Sequence, residues 1–269
     1  MIAEEKPMLP RPSRCFLASF ALIAVALVHS PAQPGQSSTA AGVPELQVRS
    51  ADFDSSANTV AVELVNNGQK AITAYGLAVT LTADGKAIGR FSFSSDLLDA
   101  VVDGRLQAGS EEAWSGAIQP GDPYTESLPA KQANLAAATA PVTAQVAVTG
   151  VIWSDGTVEG TDRYSMQQIL DRREATLRAE EKVLAILDAH TSEAQMQHRI
   201  GAALEAVNQL MSAPQGMEAL NSAVLNDAAQ SLTRIQASSA PAAQWNAYSK
   251  SLADRHLRRA VLMRAPQAE

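Results

Sequence analysis

Thr59-Val60-Ala61-Val62-Glu63-Leu64-Val65-Asn66-Asn67-Gly68 decides the fold of the first half of the chain. Apolar and polar side chains alternate loosely along it, and it stops at an Asn-Gly turn signal. A period of two predicts a strand with one face in a core. A second run, Ile72 to Thr82, closes at Ala83-Asp84-Gly85, and a third follows from Ala87 to Phe93 with Ile88, Phe91 and Phe93 as its apolar residues. Asp-Gly between two such runs predicts a tight hairpin. Further strands are expected from Ala113 to Ile118 and from Val142 to Trp153, the latter ending at Asp155-Gly156. Short strands separated by turn signals predict an antiparallel sandwich.

Two long connections interrupt the strands. Residues 94–110 contain Asp96-Leu97-Leu98-Asp99-Ala100-Val101-Val102, which predicts a turn or two of helix capped by Ser94 or Ser95. Residues 119–141 hold Pro120, Pro123, Pro129 and Pro141 and read as irregular chain.

From about Arg163 the period becomes helical. Met166, Leu170, Leu177, Leu184 and Leu187 mark one face of a long first helix, interrupted by Arg173 and Glu180. Charges on that face predict that part of it is solvated. Ser192 with Gln195 suggests a capping box for a second helix bearing Met196, Ile200, Leu204, Val207 and Met211. Pro214 and Gly216 break the chain before a third, with Met217, Leu220, Val224, Ala228, Leu232 and Ile235. Pro241 opens a fourth, carrying Trp245, Tyr248 and Leu252. Four amphipathic helices joined by short breaks predict a bundle or a pair of hairpins.

The N-terminus has a different character. Arg11 and Arg14 precede an apolar run from Cys15 to Val28, followed by His29-Ser30-Pro31-Ala32. This is the pattern of a secretory signal peptide cleaved after Ala32, with an uncleaved anchor as the alternative. Residues 33–44 read as a flexible linker. Export to the periplasm or the extracellular space is the resulting expectation. Cleavage would remove Cys15, the chain's one cysteine, so no disulfide and no cysteine-ligated zinc is expected. It would also shift the net charge from −7 to −8, because residues 1–32 hold three basic and two acidic side chains. That balance argues against general nucleic-acid binding.

The run Val60 to Gly68, then Ile72, Leu77-Ala78-Val79-Thr80-Leu81 and Asp84-Gly85, resembles bacterial extracytoplasmic immunoglobulin-like modules. It is similar to the FxLYD-type domains and to the cell-adhesion-related domain found in bacteria, over about residues 45–155. The resemblance implies a β-sandwich used for contact or spacing, with no catalytic residues to carry over. The expected fold is thus α+β in two segregated parts. An immunoglobulin-like antiparallel sandwich spans 45–162, and helical hairpins or a bundle span 163–269.

Chemistry is sparse. There is no nucleophile elbow, zincin helix or phosphate loop in the sequence. Asp52 and Asp54 form an Asp-x-Asp pair suited either to a calcium loop, joined by Asp155 or Glu159, or to a solvated turn. His190, with Asp188 or His198, lacks a known metal-ligand spacing, and His256 lies further on. Trp153 and Trp114 suit either a sugar- or partner-binding face or core packing, and Asp155 sits beside Trp153. Lys250, Arg255, His256, Arg258, Arg259 and Arg264 form a basic strip, either a docking site for an acidic partner or a solvated helix end. Asp96, Asp99 and Asp103 give carboxylates on one loop. The expected role is a non-enzymatic interaction or scaffold protein of the cell envelope, with an unknown protein partner, no cofactor and no membrane span after cleavage. A calcium-dependent or carbohydrate-binding module and an enzyme with an unrecognised site stand as alternatives.

Overall fold

The structure, a computed structural model, describes residues 42–102, 116–130, 141–190, 195–213 and 220–264. All of them belong to one compact unit, Ser37–Glu269. The expected signal segment, most of the linker, Trp114, Asp103 and Ser192 lie outside the described residues.

The first half forms two antiparallel sheets. One has the order β1-β2-β5, from β1 (Leu46–Asp54), β2 (Thr59–Asn66) and β5 (Pro123–Pro129). The other has the order β4-β3-β6-β7, from β3 (Ile72–Ala83), β4 (Lys86–Asp96), β6 (Thr143–Trp153) and β7 (Val158–Gly160). One core serves both sheets. Val60, Val62 and Leu64 of β2 share it with Tyr75, Leu77, Val79 and Leu81 of β3. The alternation read in the sequence is the physical cause, since every second side chain faces inward.

The turns follow their residues. Ala83 pairs with Lys86 across Asp84 and Gly85, whose φ values of 51° and 72° make the tight hairpin expected of Asp-Gly. Asn66-Asn67-Gly68 behaves differently: β2 and β3 do not pair but belong to different sheets. Asn66 is buried and holds this crossing with its side chain. Its Nδ2 donates to the carbonyls of Lys70 and Ile118, and its Oδ1 accepts from Gly68 N. Gly68 lies against the ring of Trp153, where an added Cβ would come within 3.0 Å of Cη2.

Two expectations are corrected here, and a third falls partly outside the described residues. The irregular stretch 119–141 contains β5, which pairs with β2 and starts and ends on proline. Proline is tolerated there because β5 is an edge strand. Of the strand expected from Ala113 to Ile118, residues 113–115 lie outside the described residues, and Ile118 forms a single antiparallel bridge to Ile72. The short helix α1 (Leu98–Val102) is capped by Asp96, whose Oδ1 accepts from Leu98 N, rather than by Ser94 or Ser95.

The second half contains α2 (Arg163–Ala189), α3 (Met196–Ser212), α4 (Ser222–Gln236) and α5 (Pro241–Arg264). Asp162 caps α2 by accepting from Ser165 N, and Asn221 caps α4 by accepting from Ala223 N. No side-chain cap bond forms at α3. Gln195 is the cap residue itself, one turn too late for a capping box with Ser192. The helical core joins Val183 and Leu187 to Ile200, Val207, Leu225, Leu232, Trp245 and Leu252. Among the described residues no helix is long and apolar enough to cross a membrane.

Candidate functional site

Helix α2 has 27 residues and would extend roughly 40 Å at 1.5 Å per residue. Its two ends serve different cores. Met166 and Ile169 pack on Ala74 and Ile152, on the face of the four-stranded sheet away from β1-β2-β5. Gly76 and Gly150, paired across β3 and β6, leave the space that Met166 fills. An added Cβ on Gly150 would lie 2.9 Å from Met166 Cγ. The other end of α2 contributes Ala179, Val183 and Leu187 to the helical core.

Between these ends sit Arg173 and Glu180, the charges that predicted a solvated face. The structure overturns that expectation: their exposures are 6% and 2%. Each is buried because each is fully engaged by charge and hydrogen bonding.

Arg173 reaches the ends of two strands. Its Nε donates to both carboxylate oxygens of Asp96 at 3.1 Å, and Nη2 donates to Asp96 Oδ1 at 2.6 Å. Nη2 also donates to the Thr73 carbonyl, and Nη1 to Thr73 Oγ1. The planar guanidinium suits this fork of acceptors, which a lysine could not match.

Glu180 binds α5. Arg259 donates Nε to Oε2 at 3.1 Å and Nη2 to Oε1 at 3.2 Å, a two-pronged pair. The remaining Nη1 of Arg259 donates to Asp99 Oδ1 of α1 at 2.6 Å. Burial works against the Arg259 charge, but Glu180 and Asp99 outweigh it and hold the guanidinium above its ordinary pKa. His256 Nδ1 lies 3.8 Å from Glu180 Oε2, and Arg258 Nη1 donates to the Val102 carbonyl. Two arginines therefore tie β3, β4 and α1 to α2 and α5.

This joint corrects the basic strip. Arg259 is 4% exposed and faces inward, so it does not offer its charge to a partner. Arg255 pairs with Asp227 at 3.7 Å, while Lys250 and Arg258 are exposed. Asp96 and Asp99 face guanidinium groups rather than one another.

The remaining candidates are scattered. Asp52 is exposed on β1, and Asp54 closes the β1–β2 turn. Asp54 Oδ1 accepts from Ser56 N, Ser56 Oγ and Ala57 N, which holds its carboxyl below the usual range. Asp155 plays the same part in the β6–β7 turn, accepting from Thr157 N and Oγ1 and pairing with Lys70. Glu159 is exposed on β7. Trp153 is buried in the shared core, so its ring does not form a binding face. His198 is exposed on α3, and Asp188 and His190 lie at the end of α2. Among the described residues no group of three or more His, Cys, Asp or Glu is placed to hold a metal ion.

Sequence reasoning missed Arg173, Glu180 and Thr73. A signal was present: two charges seven residues apart on an otherwise apolar helix face recur on that face. The sequence does not place their partners, which lie 77 and 79 positions away.

No family model matches the chain, and no curated protein matches it. A solved structure of a hypothetical protein from Peptoclostridium difficile 630 is similar at 14% identity, covering 46% of this chain and 90% of that one. Its TM-score is 0.29, and a likeness at that level carries no argument.

Proposed function

We propose that the chain is an exported, non-enzymatic interaction protein of the cell envelope, in which an immunoglobulin-like sandwich is held rigidly to a helical contact surface. The observation that carries the reading is the joint. Arg173 with Asp96, and Arg259 with Asp99, hold one half against the other, and Glu180 fixes the Arg259 guanidinium in place. Among the described residues the exposed large apolar side chains, meanwhile, are on helices: Tyr164 on α2, and Leu257 and Val261, 63% and 59% exposed, on α5. Leu257 and Val261 are four residues apart and so share one face, beside the exposed Arg258. Exposed apolar side chains next to a charged one suit a protein contact.

Export rests on the leader pattern of residues 1–32. The immunoglobulin-like assignment rests on the resemblance carried by Val60–Gly68 and Asp84-Gly85, and two antiparallel sheets around one core are compatible with it.

The test is site-specific photo-crosslinking in the native envelope, with the crosslinker at position 257 or 261 and a control at the exposed position 182. One protein species captured at 257 and 261 and missed at 182 supports the reading. Equal capture at all three positions, or none, overturns it. N-terminal sequencing of the envelope form should start at Gln33; a chain retained in the cytoplasm with its first residues intact would remove the export part.

A further inference from the structure

Each sheet ends on edge strands, and an edge is a row of N–H and C=O groups that can pair with another chain. Three of the four edges are blunted. β7 has three residues, β1 is bulged between Val48 and Ser50, and β5 carries proline at both ends. The fourth, β4, is eleven residues long. Its irregularity lies at its start, where the register shifts beside Ile88. From Gly89 to Asp96 it runs in unbroken register with β3 on one side, and among the described residues no strand lies on the other.

The side chains of this segment are arranged for company. Phe91 and Phe93 face the shared core but stay partly exposed, because they stand on its last strand. Arg90, Ser92 and Ser94 alternate with them on the opposite face and are exposed. A strand added beyond β4 would extend the sheet and cover both phenylalanines.

We infer that two copies of this chain pair antiparallel through β4, joining two four-stranded sheets into one of eight strands. The side-chain row commits the occupant to a second copy, because it is self-complementary about Ser92. A two-fold axis there sets Ser92 opposite Ser92, Phe91 opposite Phe93 of the second copy, and Arg90 opposite Ser94. Aromatic residues then pair on the core face. No like charges meet on the other face, where the serines are small enough for close approach. Such an interface is isologous and closes at two copies, which also removes the exposed edge. The inference stands on β4 alone and is independent of the scaffold reading.

Sedimentation velocity on the purified protein across a concentration series tests it. The wild type should sediment as a dimer. Ser92→Lys and Ser92→Glu each set like charges directly opposite and should each weaken the dimer by roughly tenfold or more. Ser92 is exposed, so circular dichroism should show both variants folded. Mixing the Lys and Glu variants should restore a dimer, because opposite charges then meet. A wild type that is monomeric at every concentration overturns the inference, as does a dimer that neither substitution weakens or a mixture that stays monomeric.

Discussion

Replacing Arg259 by methionine should cost far more than a surface arginine does, and replacing Glu180 as well should recover most of the loss. Arg259 supplies two hydrogen bonds to Glu180, which is 2% exposed, and one to Asp99, whose side chain is 66% exposed. Once the guanidinium is gone, Asp99 can turn to water, but Glu180 is left as a buried carboxylate without its bonded cation. Removing one partner of a buried pair costs about 3–5 kcal/mol. A chain this size loses about 2–4 °C per kcal/mol, so the melting temperature should fall by roughly 6–20 °C. The double variant Glu180→Leu with Arg259→Met removes the stranded charge and fills similar volume. Its stability should return to within about 1–2 kcal/mol of wild type. Urea unfolding followed by circular dichroism measures all four corners of the cycle. A single variant within about 0.5 kcal/mol of wild type, or a double variant as weak as the sum of the singles, would refute the assignment of this pair as the anchor of the joint.

Gly160 should tolerate alanine much less than Gly85 does. At Gly160, φ is 113° and an added Cβ would lie 2.4 Å from the Thr149 carbonyl oxygen, so thermal melting should show a loss on the order of 3 kcal/mol or more. Gly85 has φ of 72° with open space around it, so alanine there should cost about 1 kcal/mol. At high pH, burial, aided by Glu126, holds Tyr124 up to about 12, and burial, aided by Asp227, does the same for Tyr248. Burial raises Tyr75 further still. Unfolded tyrosine ionises near about 10, so stability should fall as pH climbs from there toward 12, and phenolate absorbance should rise together with unfolding. At the acid end, burial pushes the Asp155 carboxyl up, but Lys70 and Thr157 outweigh it and hold it low. Its contribution is complete above the unfolded value of about 3.9 and is lost as pH falls through the lower folded value. Denaturant titrations of Asp155→Asn should therefore show its deficit against wild type shrinking below about pH 4.

Much of the fold was legible because local patterns matched the final environment. Val60, Val62 and Leu64 alternate inward, Asp84-Gly85 makes its hairpin, and Pro241 opens α5. Ala228, Leu232 and Ile235 recur at helical spacing and are buried, although Leu225 and not Val224 is the buried residue at the start of that face. The failures have particular causes. β5 was hidden because Pro123 and Pro129 disguise an edge strand as loop. Asn66-Asn67-Gly68 marked a turn correctly, but local sequence does not distinguish a hairpin from a crossing between sheets. The joint was hidden most deeply. Arg173 and Glu180 looked like solvated residues because burial of a charge is decided by its partner, and Asp96 and Arg259 arrive from distant chain. The basic strip misled for the same reason, since Arg259 turns inward on the same helix that presents Arg258 to solvent.

If α2 is the shared spine of both halves, the sheets and the helices should open together. Residue-resolved hydrogen exchange along a urea series tests this on the buried amides of Leu77 and Val79 in β3 and of Leu225, Ala228 and Leu232 in α4. The account predicts that both sets exchange through one opening event, with the same free energy and the same urea dependence. Helix amides that open at a free energy several kcal/mol below the sheet amides would contradict it, because the two parts would then be separate folding units joined by chain alone.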